Sequence, residues 1–298
     1  MKIKFWGTRG SIPTPGKNTV RYGGNTPCIE LRLVNDELVI LDAGTGIRNL
    51  GETLMEKGES IKANVLISHP HWDHIQGLPF FKPVFISGNE FTFIGGETDK
   101  VSLQKMIADQ MNKVYFPVQL NELKAALKFR PIEEEEIKIS SAVVKTIYVN
   151  HPSFAIGFRI TNGGKTIVYI SDNEPFDRQV AMAIRNVEKV IIDKYYHVSG
   201  DPNQRIFDFV RDADVLIHDA TYTPEEYVDR VGWGHSHYLF TLKVAAEGRV
   251  KRLILFHHDP SHTDEKIDDI LRKCEKEIRN RQYKFDCIAA SEGLEVEV

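Results

Sequence analysis

The sequence lacks several features that would place it in a specialised class of protein. It contains only three cysteines, Cys28, Cys274 and Cys287, and no CxxC pair. A disulfide framework or a thiolate zinc site is therefore not expected, and we interpret the three as reduced core residues. No apolar run is long enough to span a bilayer, and no signal-peptide stretch follows Met1. These absences predict a cytoplasmic protein without membrane association.

The chain also lacks an excess of positive charge. Its 38 Lys and Arg residues stand against 42 Asp and Glu, which gives a formal net charge of -4. Strong non-specific binding of duplex nucleic acid is therefore not expected. The composition is that of an ordinary folded protein, and no proline-rich or low-complexity linker marks a boundary. We predict a single domain over residues 1–298.

Hydrophobic patterning predicts a layered α/β protein. The predicted strands of the first part are Lys2–Trp6, Cys28–Leu33, Leu38–Leu41, Asn64–Ser68, Ala142–Val149, Ala155–Thr161 and Thr166–Ser171. The helices and strands that alternate after them are Phe176–Val187, Val190–Asp193, Gln204–Val210, Val215–His218, Leu239–Glu247 and Leu253–Phe256. The sequence Asn162-Gly163-Gly164 predicts a hairpin turn between two of these strands.

Two segments have less defined patterns. Val101–Met111 has helical spacing and lies in an insert-like segment, 83–131, which we interpret as a lid or a dimer contact. The acidic run Glu133–Glu136 is interpreted as a solvated loop or helix face.

Groups able to bind a metal are concentrated in Ser68-His69-Pro70-His71-Trp72-Asp73-His74, directly after a predicted strand. A lone histidine is ordinarily a core or surface residue, but this clustering is not explained by packing. On an extended backbone His69 and His71 point to the same side, and Asp73 and His74 follow as the chain turns. Imidazole and carboxylate suit zinc, manganese or iron. The segment therefore predicts a metal site and leaves the metal open.

Three more candidate ligands, His151, Asp172 and His257, each follow an apolar strand-like run. Taken with the motif at 69–74, their order and spacing resemble the metallo-β-lactamase superfamily. The resemblance extends over essentially the whole chain. It implies a four-layer αβ/βα sandwich in which two mixed sheets are covered by helices, with the metals at one edge.

The resemblance also implies two divalent metal ions, zinc first, with manganese or iron as alternatives. The implied ligands of one metal are His69, His71 and His151, those of the other are Asp73, His74 and His257, and Asp172 bridges both. Asp42 matches an early aspartate that supports the metal loop, although it also reads as an ordinary turn residue before glycine. His258 is the alternative to His257 as the last ligand, and Asp259, His262 and Asp264 are weaker rim candidates.

Two bridged cations can hold a hydroxide between them, because a bound metal lowers the pKa of water to about 7. The elements Asp219-Ala220-Thr221 and Gly234-His235-Ser236 resemble the phosphodiesterase and tRNA 3′-processing branch of the superfamily. The implied role is a His235, held by Asp219, that protonates the departing oxygen, while Asp73 joins them as the third catalytic residue. A loop histidine on a glycine-rich turn is the alternative for His235. Neither Arg9 nor Asn25, in similarly glycine-rich loops, is assigned a catalytic role.

The first functional prediction is a binuclear phosphodiesterase that acts on a small phosphodiester, a cyclic nucleotide or dinucleotide. Its alternatives are a tRNA 3′-processing endonuclease-like RNase, a hydrolase of non-phosphate esters or lactones, and a non-catalytic metal sensor. The acidic balance and the lack of a long Lys/Arg-rich arm disfavour RNA as the substrate. A homodimer is a further prediction.

Overall fold

The computed structural model describes residues 1–98, 100–176 and 201–298. The predicted elements Phe176–Val187 and Val190–Asp193 lie outside these residues, except for Phe176 itself. The chain divides into two compact units. The first comprises 1–133, 138–142 and 291–298, and the second comprises 134–137 and 143–290. The prediction of one domain stays a prediction.

The first unit contains a seven-stranded mixed sheet with the order β14-β1-β2-β3-β4-β5-β6. Its strands are β1 (Lys2–Gly7), β2 (Cys28–Arg32), β3 (Leu38–Leu41), β4 (Lys62–Ile67), β5 (Glu90–Gly95), β6 (Ala126–Pro131) and β14 (Glu295–Glu297). Strands β3 to β6 run parallel to one another, so their carboxyl ends share one edge of the sheet.

The helices of the first unit are α1 (Ile47–Glu56), α2 (Trp72–Ile75) and α3 (Leu103–Asp109). Helix α1 buries Ile47, Leu50 and Leu54, which lie three or four residues apart and so share one helical face. Gly51 lies on the same face, and a Cβ there would come within 2.8 Å of the Phe81 ring. Full burial of each leucine contributes about 2 kcal/mol, so this face holds the helix against the core.

The second sheet has the order β13-β12-β11-β10-β9-β8-β7. Its strands are β7 (Glu136–Ile139), β8 (Ala142–Tyr148), β9 (Ile156–Asn162), β10 (Lys165–Ile170), β11 (Val215–Asp219), β12 (Arg252–Phe256) and β13 (Asp286–Ala289). The predicted hairpin is confirmed: Gly163 and Gly164 join β9 to β10 with φ values of 57° and 76°. Positive φ at both positions is what a two-residue type I′ turn requires.

The described helices of the second unit are α4 (Gln204–Phe209), α5 (Pro224–Tyr227), α6 (Tyr238–Glu247) and α7 (Asp264–Arg281). Helix α7 was not predicted, although its signals are present. The Thr263 hydroxyl accepts from the Lys266 amide, acidic residues fill the first turn, and Arg279 and Arg281 occupy the last. Asp264 is therefore a first-turn helical residue, which explains its position better than a place on the rim of a metal site.

The structure changes the interpretation of the two less defined segments. The helix predicted over Val101–Met111 is confirmed as α3, but the surrounding segment 83–131 also contributes β5 and β6 to the first sheet. Its role as a lid or dimer contact stays a prediction. The solvated interpretation of Glu133–Glu136 is confirmed for Glu133, Glu135 and Glu136, which are exposed, although Glu136 already begins β7. It is wrong for Glu134, whose largely buried carboxylate accepts from Arg205 Nη2 at 2.8 Å and from the Tyr148 amide at 2.8 Å.

The thiols of Cys28, Cys274 and Cys287 are all free, and the first two are buried, as predicted. In the part of the chain that the structure describes, no helix is both long and apolar enough to cross a membrane.

Candidate metal centre

Asp42 organises the histidine-rich loop of the first unit. It directly follows β3, and Ser68 directly follows the neighbouring parallel strand β4, so both lie at the same edge of the sheet. The fully buried Asp42 carboxylate accepts from the Ser68 amide at 2.7 Å and from the Ser68 hydroxyl at 2.8 Å. Its backbone has a φ of 60°, in the left-handed region. Asp42 thus supports the loop, as the resemblance implied.

These hydrogen bonds determine which ring nitrogens face outward. The Asp42 carboxylate can only accept, so His74 Nδ1, at 2.8 Å, donates to it. The single Ser68 hydroxyl proton is directed to Asp42, so the hydroxyl oxygen accepts from His69 Nδ1 at 3.1 Å. On both rings Nε2 then carries the lone pair, as in histidines whose other nitrogen donates to an orienting group beside a metal.

The ligand candidates of the first unit form two close pairs. One donor atom of His69 and one of His71 lie within 4.8 Å of each other, and the same holds for Asp73 and His74. The three residues other than His71 are buried. The Ser11 amide donates to Asp73 Oδ2 at 2.8 Å, so the N-terminal loop orients this carboxylate.

Arg9 and Asn25 hold this loop in place. The guanidinium of Arg9 is fully buried, and its Nε donates to the Gly23 carbonyl at 2.8 Å. Asn25 Nδ2 donates to Glu292 Oε2 at 3.0 Å. Both side chains therefore stabilise local loop structure.

In the second unit Asp172, Asp219 and His257 lie at or just after the carboxyl ends of adjacent strands. Strands β10, β11 and β12 are parallel neighbours, with Ile170 opposite His218 and Asp219 opposite Phe256. Asp172, Asp219 and His257 therefore meet at one sheet edge. His257 Nε2 lies 3.4 Å from Asp172 Oδ1, and both side chains are buried.

Asp219 is the centre of a dense hydrogen-bond network. One carboxylate oxygen accepts from the Thr221 amide at 2.9 Å and from its hydroxyl at 2.7 Å. The other accepts from the amides of Asn173 at 3.2 Å and Ser236 at 3.0 Å. Burial opposes the charge, but the adjacent His235 imidazole holds the pKa of Asp219 below its usual value. Asp219 is therefore a fixed negative group.

His235 lies beside both carboxylates. Its Nδ1 is 3.3 Å from Asp219 Oδ2 and 3.8 Å from Asp172 Oδ2. Its ring stacks on that of His257 with a centroid separation of 4.8 Å. Asp172, His235 and His257 each offer a donor atom within 4.8 Å of the others, so this trio is also able to hold an ion.

The structure separates the adjacent histidines at the end of β12. His257 has a φ of 57° and directs Nε2 at Asp172, while its Nδ1 lies 3.1 Å from the Thr221 hydroxyl. His258 Nε2 lies 2.8 Å from the Ala290 carbonyl, to which it donates. This geometry favours His257 as the ligand. His262 is directed at Glu226, 3.1 Å away, rather than at these groups.

Sequence reasoning missed Glu174, a buried carboxylate two residues after Asp172. Oε1 accepts from the Gly232 amide at 2.6 Å and from the Tyr227 hydroxyl at 2.8 Å, and Oε2 accepts from the Gly234 amide at 3.0 Å. Burial raises the pKa of Glu174 above its usual value, against these donors. No local signal in the sequence connects Glu174 with partners more than fifty positions away.

The loop that Glu174 holds also contacts His151. His151 Nδ1 donates to the Gly234 carbonyl at 3.1 Å, and a donor atom of His151 lies within 4.8 Å of one of Asp172. A Cβ at position 234 would lie 2.1 Å from His151 Nδ1, and Gly234 has a φ of 88°. Only glycine fits this close approach.

Comparison with known proteins gives consistent relatives. A family model described as "Beta-lactamase superfamily domain" matches residues 38–199. Ribonuclease Z of Thermoplasma acidophilum is 24% identical and aligns over 96% of this chain and 94% of its own. The metallo-beta-lactamase fold protein YhfI from Bacillus subtilis has a TM-score of 0.66 at 19% identity, covering 100% of this chain and 98% of its own. The short form of human tRNase Z has a TM-score of 0.63 at 20% identity, covering 100% and 99%.

Proposed function

Because this chain belongs to the metallo-β-lactamase superfamily, we propose that it is a metal-dependent phosphodiesterase that cleaves RNA. The predicted fold class is confirmed, with two mixed sheets and flanking helices. The observation that carries the proposal is the near full-length similarity to ribonuclease Z, in a chain that places His235 between Asp172 and Asp219.

The donor set fits divalent metal ions. In each unit the candidates are imidazoles and carboxylates, most of them buried, and hydrogen bonds orient Nδ1 of His69, His74, His151 and His257. Buried carboxylates and imidazoles at such distances are costly unless a cation or protons compensate them. Following the family resemblance, the proposed ligands are His69, His71, Asp73, His74, His151, Asp172 and His257. Such ligands suit zinc, with manganese or iron as alternatives. When bound, the metals supply an activated water and neutralise phosphate charge.

His235 is the proposed proton donor to the departing oxygen. The Asp219 carboxylate, 3.3 Å from Nδ1, favours the protonated ring and fixes its orientation. Nε2 is then the nitrogen that carries the transferred proton. Burial of both side chains strengthens their interaction, since little water screens it. An alkoxide is a poor leaving group, so a positioned acid contributes most on a ribose ester.

RNA replaces the cyclic nucleotide as the preferred substrate class. The relatives favour an RNase-like activity over a cyclic-nucleotide phosphodiesterase, since proteins named ribonuclease Z align over most of this chain. The chain still has a net charge of -4. We therefore expect a local contact with the RNA backbone rather than a broad basic surface.

The proposal is tested by incubating metal-loaded protein with a tRNA precursor that carries a 3′ extension, alongside bis-p-nitrophenyl phosphate and a panel of cyclic nucleotides. We expect endonucleolytic cleavage of the precursor. His69→Ala should abolish it, and His235→Ala should lower it by about 10²–10⁴-fold. Cleavage of cyclic nucleotides but not of the precursor would show that a cyclic nucleotide, and not RNA, is the substrate class.

Two controls separate the roles of the histidines. His262→Ala removes another buried imidazole, which contacts Glu226, and should retain activity. Metal content shows whether His235 is a proton donor or a metal ligand. If His235 is a proton donor, the His235→Ala protein keeps its full complement of metal. If His235→Ala loses a metal ion, the residue is a ligand and its assignment as the acid is wrong.

A further inference from the structure

The segment Gly232-Trp233-Gly234 directly precedes His235, and its glycine amides are held by one side chain from outside the segment. Gly232 and Gly234 have φ values of 89° and 88°, and Trp233 between them is 61% exposed. Of the amides in this segment, that of Trp233 bonds locally, to the Arg230 carbonyl at 3.1 Å. The amides of the two glycines both donate to a single side chain, the carboxylate of Glu174.

Glu174 is itself fixed at both its backbone and its side chain. Its amide donates to the Asn150 carbonyl at 2.7 Å, next to His151. Its carboxylate also accepts from the Tyr227 hydroxyl at 2.8 Å, and only 3% of the residue is exposed. A buried carboxylate with three donors is held in one position, because losing any of these bonds would leave its charge poorly compensated.

The segment held in this way adjoins two functional groups. The Gly234 carbonyl accepts from His151 Nδ1 at 3.1 Å, and the next residue in the chain is His235. A displacement of this backbone therefore moves the proposed acid, which is covalently attached to it, more than His151, which is only hydrogen-bonded to it. Proton transfer is sensitive to such displacement, since an error of about 1 Å can cost about 10²-fold in rate.

We propose that Glu174 is a positioning residue, which sets the geometry of His235 by clamping the amides of Gly232 and Gly234. This inference rests on the proposed function. Glu174 does not touch the reacting atoms and acts only through the segment it holds. Its isosteric amide tests the idea, because Glu174→Gln has one acceptor oxygen and would present an NH₂ group to one of the two glycine amides.

The experiment compares Glu174→Gln with Glu225→Gln, which makes the same change at an exposed position of α5. We expect Glu174→Gln to lower kcat on the RNA precursor by about 10- to 100-fold with KM changed less than about threefold. The loss on bis-p-nitrophenyl phosphate should be about tenfold smaller, because p-nitrophenolate leaves without a proton donor. Glu225→Gln should match the unaltered protein.

Tyr227→Phe provides a milder variant that removes only one donor to Glu174 and keeps the carboxylate. It should lower kcat on RNA in the same direction, by about two- to fivefold, which corresponds to about 0.4–1 kcal/mol. Equal losses on both substrates in Glu174→Gln, or kcat within twofold of the unaltered protein, would overturn the proposal.

Hydrogen exchange gives a readout that does not depend on activity. Exchange of the Gly232 and Gly234 amides should speed up in Glu174→Gln and stay unchanged in Glu225→Gln. If the unaltered protein cleaves neither substrate, the proposed function fails while this measurement still tests the clamp. Unchanged exchange at both glycines would refute the clamp itself.

Discussion

Replacement of Asp219 by asparagine tests the network around the proposed acid. Asparagine has one acceptor oxygen, which can keep the two bonds from Thr221. Its NH₂ group then faces the amides of Asn173 and Ser236, which are donors themselves. A buried donor left without an acceptor costs about 1–3 kcal/mol, so the two together predict a loss of about 2–6 kcal/mol in the free energy of unfolding. Against a typical total of about 5–15 kcal/mol this is a large change.

Asp219→Asn also removes the charge beside His235 Nδ1. Without it the imidazolium is less favoured, and we expect kcat on a ribose ester to fall by about 10²–10⁴-fold. Urea denaturation measures the loss in the free energy of unfolding, and steady-state kinetics of the folded fraction measure the fall in kcat. Asp269→Asn, an ion-paired position on α7, is the control and should change stability by less than about 1 kcal/mol. A stability loss below 1 kcal/mol together with kcat within threefold of the unaltered protein would refute the reasoning.

Two further predictions concern the support of the metal loop and the dependence of stability on pH. Asp42→Asn replaces the carboxylate that orients His74, so zinc affinity in a chelator competition should fall by about 10- to 100-fold, and an unchanged affinity would contradict the supporting role. Although burial opposes its charge, the Thr223 amide and His262 lower the pKa of Glu226 to about 2. Because its pKa is depressed in the folded protein, the Glu226 carboxylate stabilises the fold at pH values above its unfolded pKa of about 4.5. This contribution is lost as the pH falls towards 2. The unfolding free energies of the unaltered protein and Glu226→Gln should therefore converge over that range, and a constant difference would be inconsistent with the shift.

The parts of the site that the sequence predicted are those whose signals are local. Three imidazoles and a carboxylate stand together at 69–74, directly after β4. Asp172 and His257 follow short apolar runs that form β10 and β12. Polar residues placed directly after buried strands can be identified as site candidates from the sequence, because a sheet presents side chains to a cleft at its strand ends.

Several elements were missed for different physical reasons. Strand β6 alternates exposed and half-buried side chains but buries none of them fully, so its hydrophobic signal is weak. Its partner β5 was included in the segment interpreted as an insert. Helix α7 has a Thr263 N-cap and complementary charges at both ends, so the signals that predict it are present in the sequence. Helix α1 likewise has a regular buried face.

The Glu174 clamp could not have been read from one sequence. Its partners Tyr227, Gly232 and Gly234 lie more than fifty positions away, and the contact exists only once β10 and the segment after α5 have folded. The choice between His257 and His258 was open for a similar reason. It depends on the positive φ of His257, which turns the chain after β12.

The most direct test of the account is cleavage of a tRNA precursor by the unaltered protein before and after metal removal with a chelator. The account predicts a single endonucleolytic cut near the 3′ end, loss of that cut on chelation, and its return with zinc or manganese. A precursor left intact under every metal loading, while lactones or thioesters are hydrolysed, would contradict the assignment to phosphodiester chemistry.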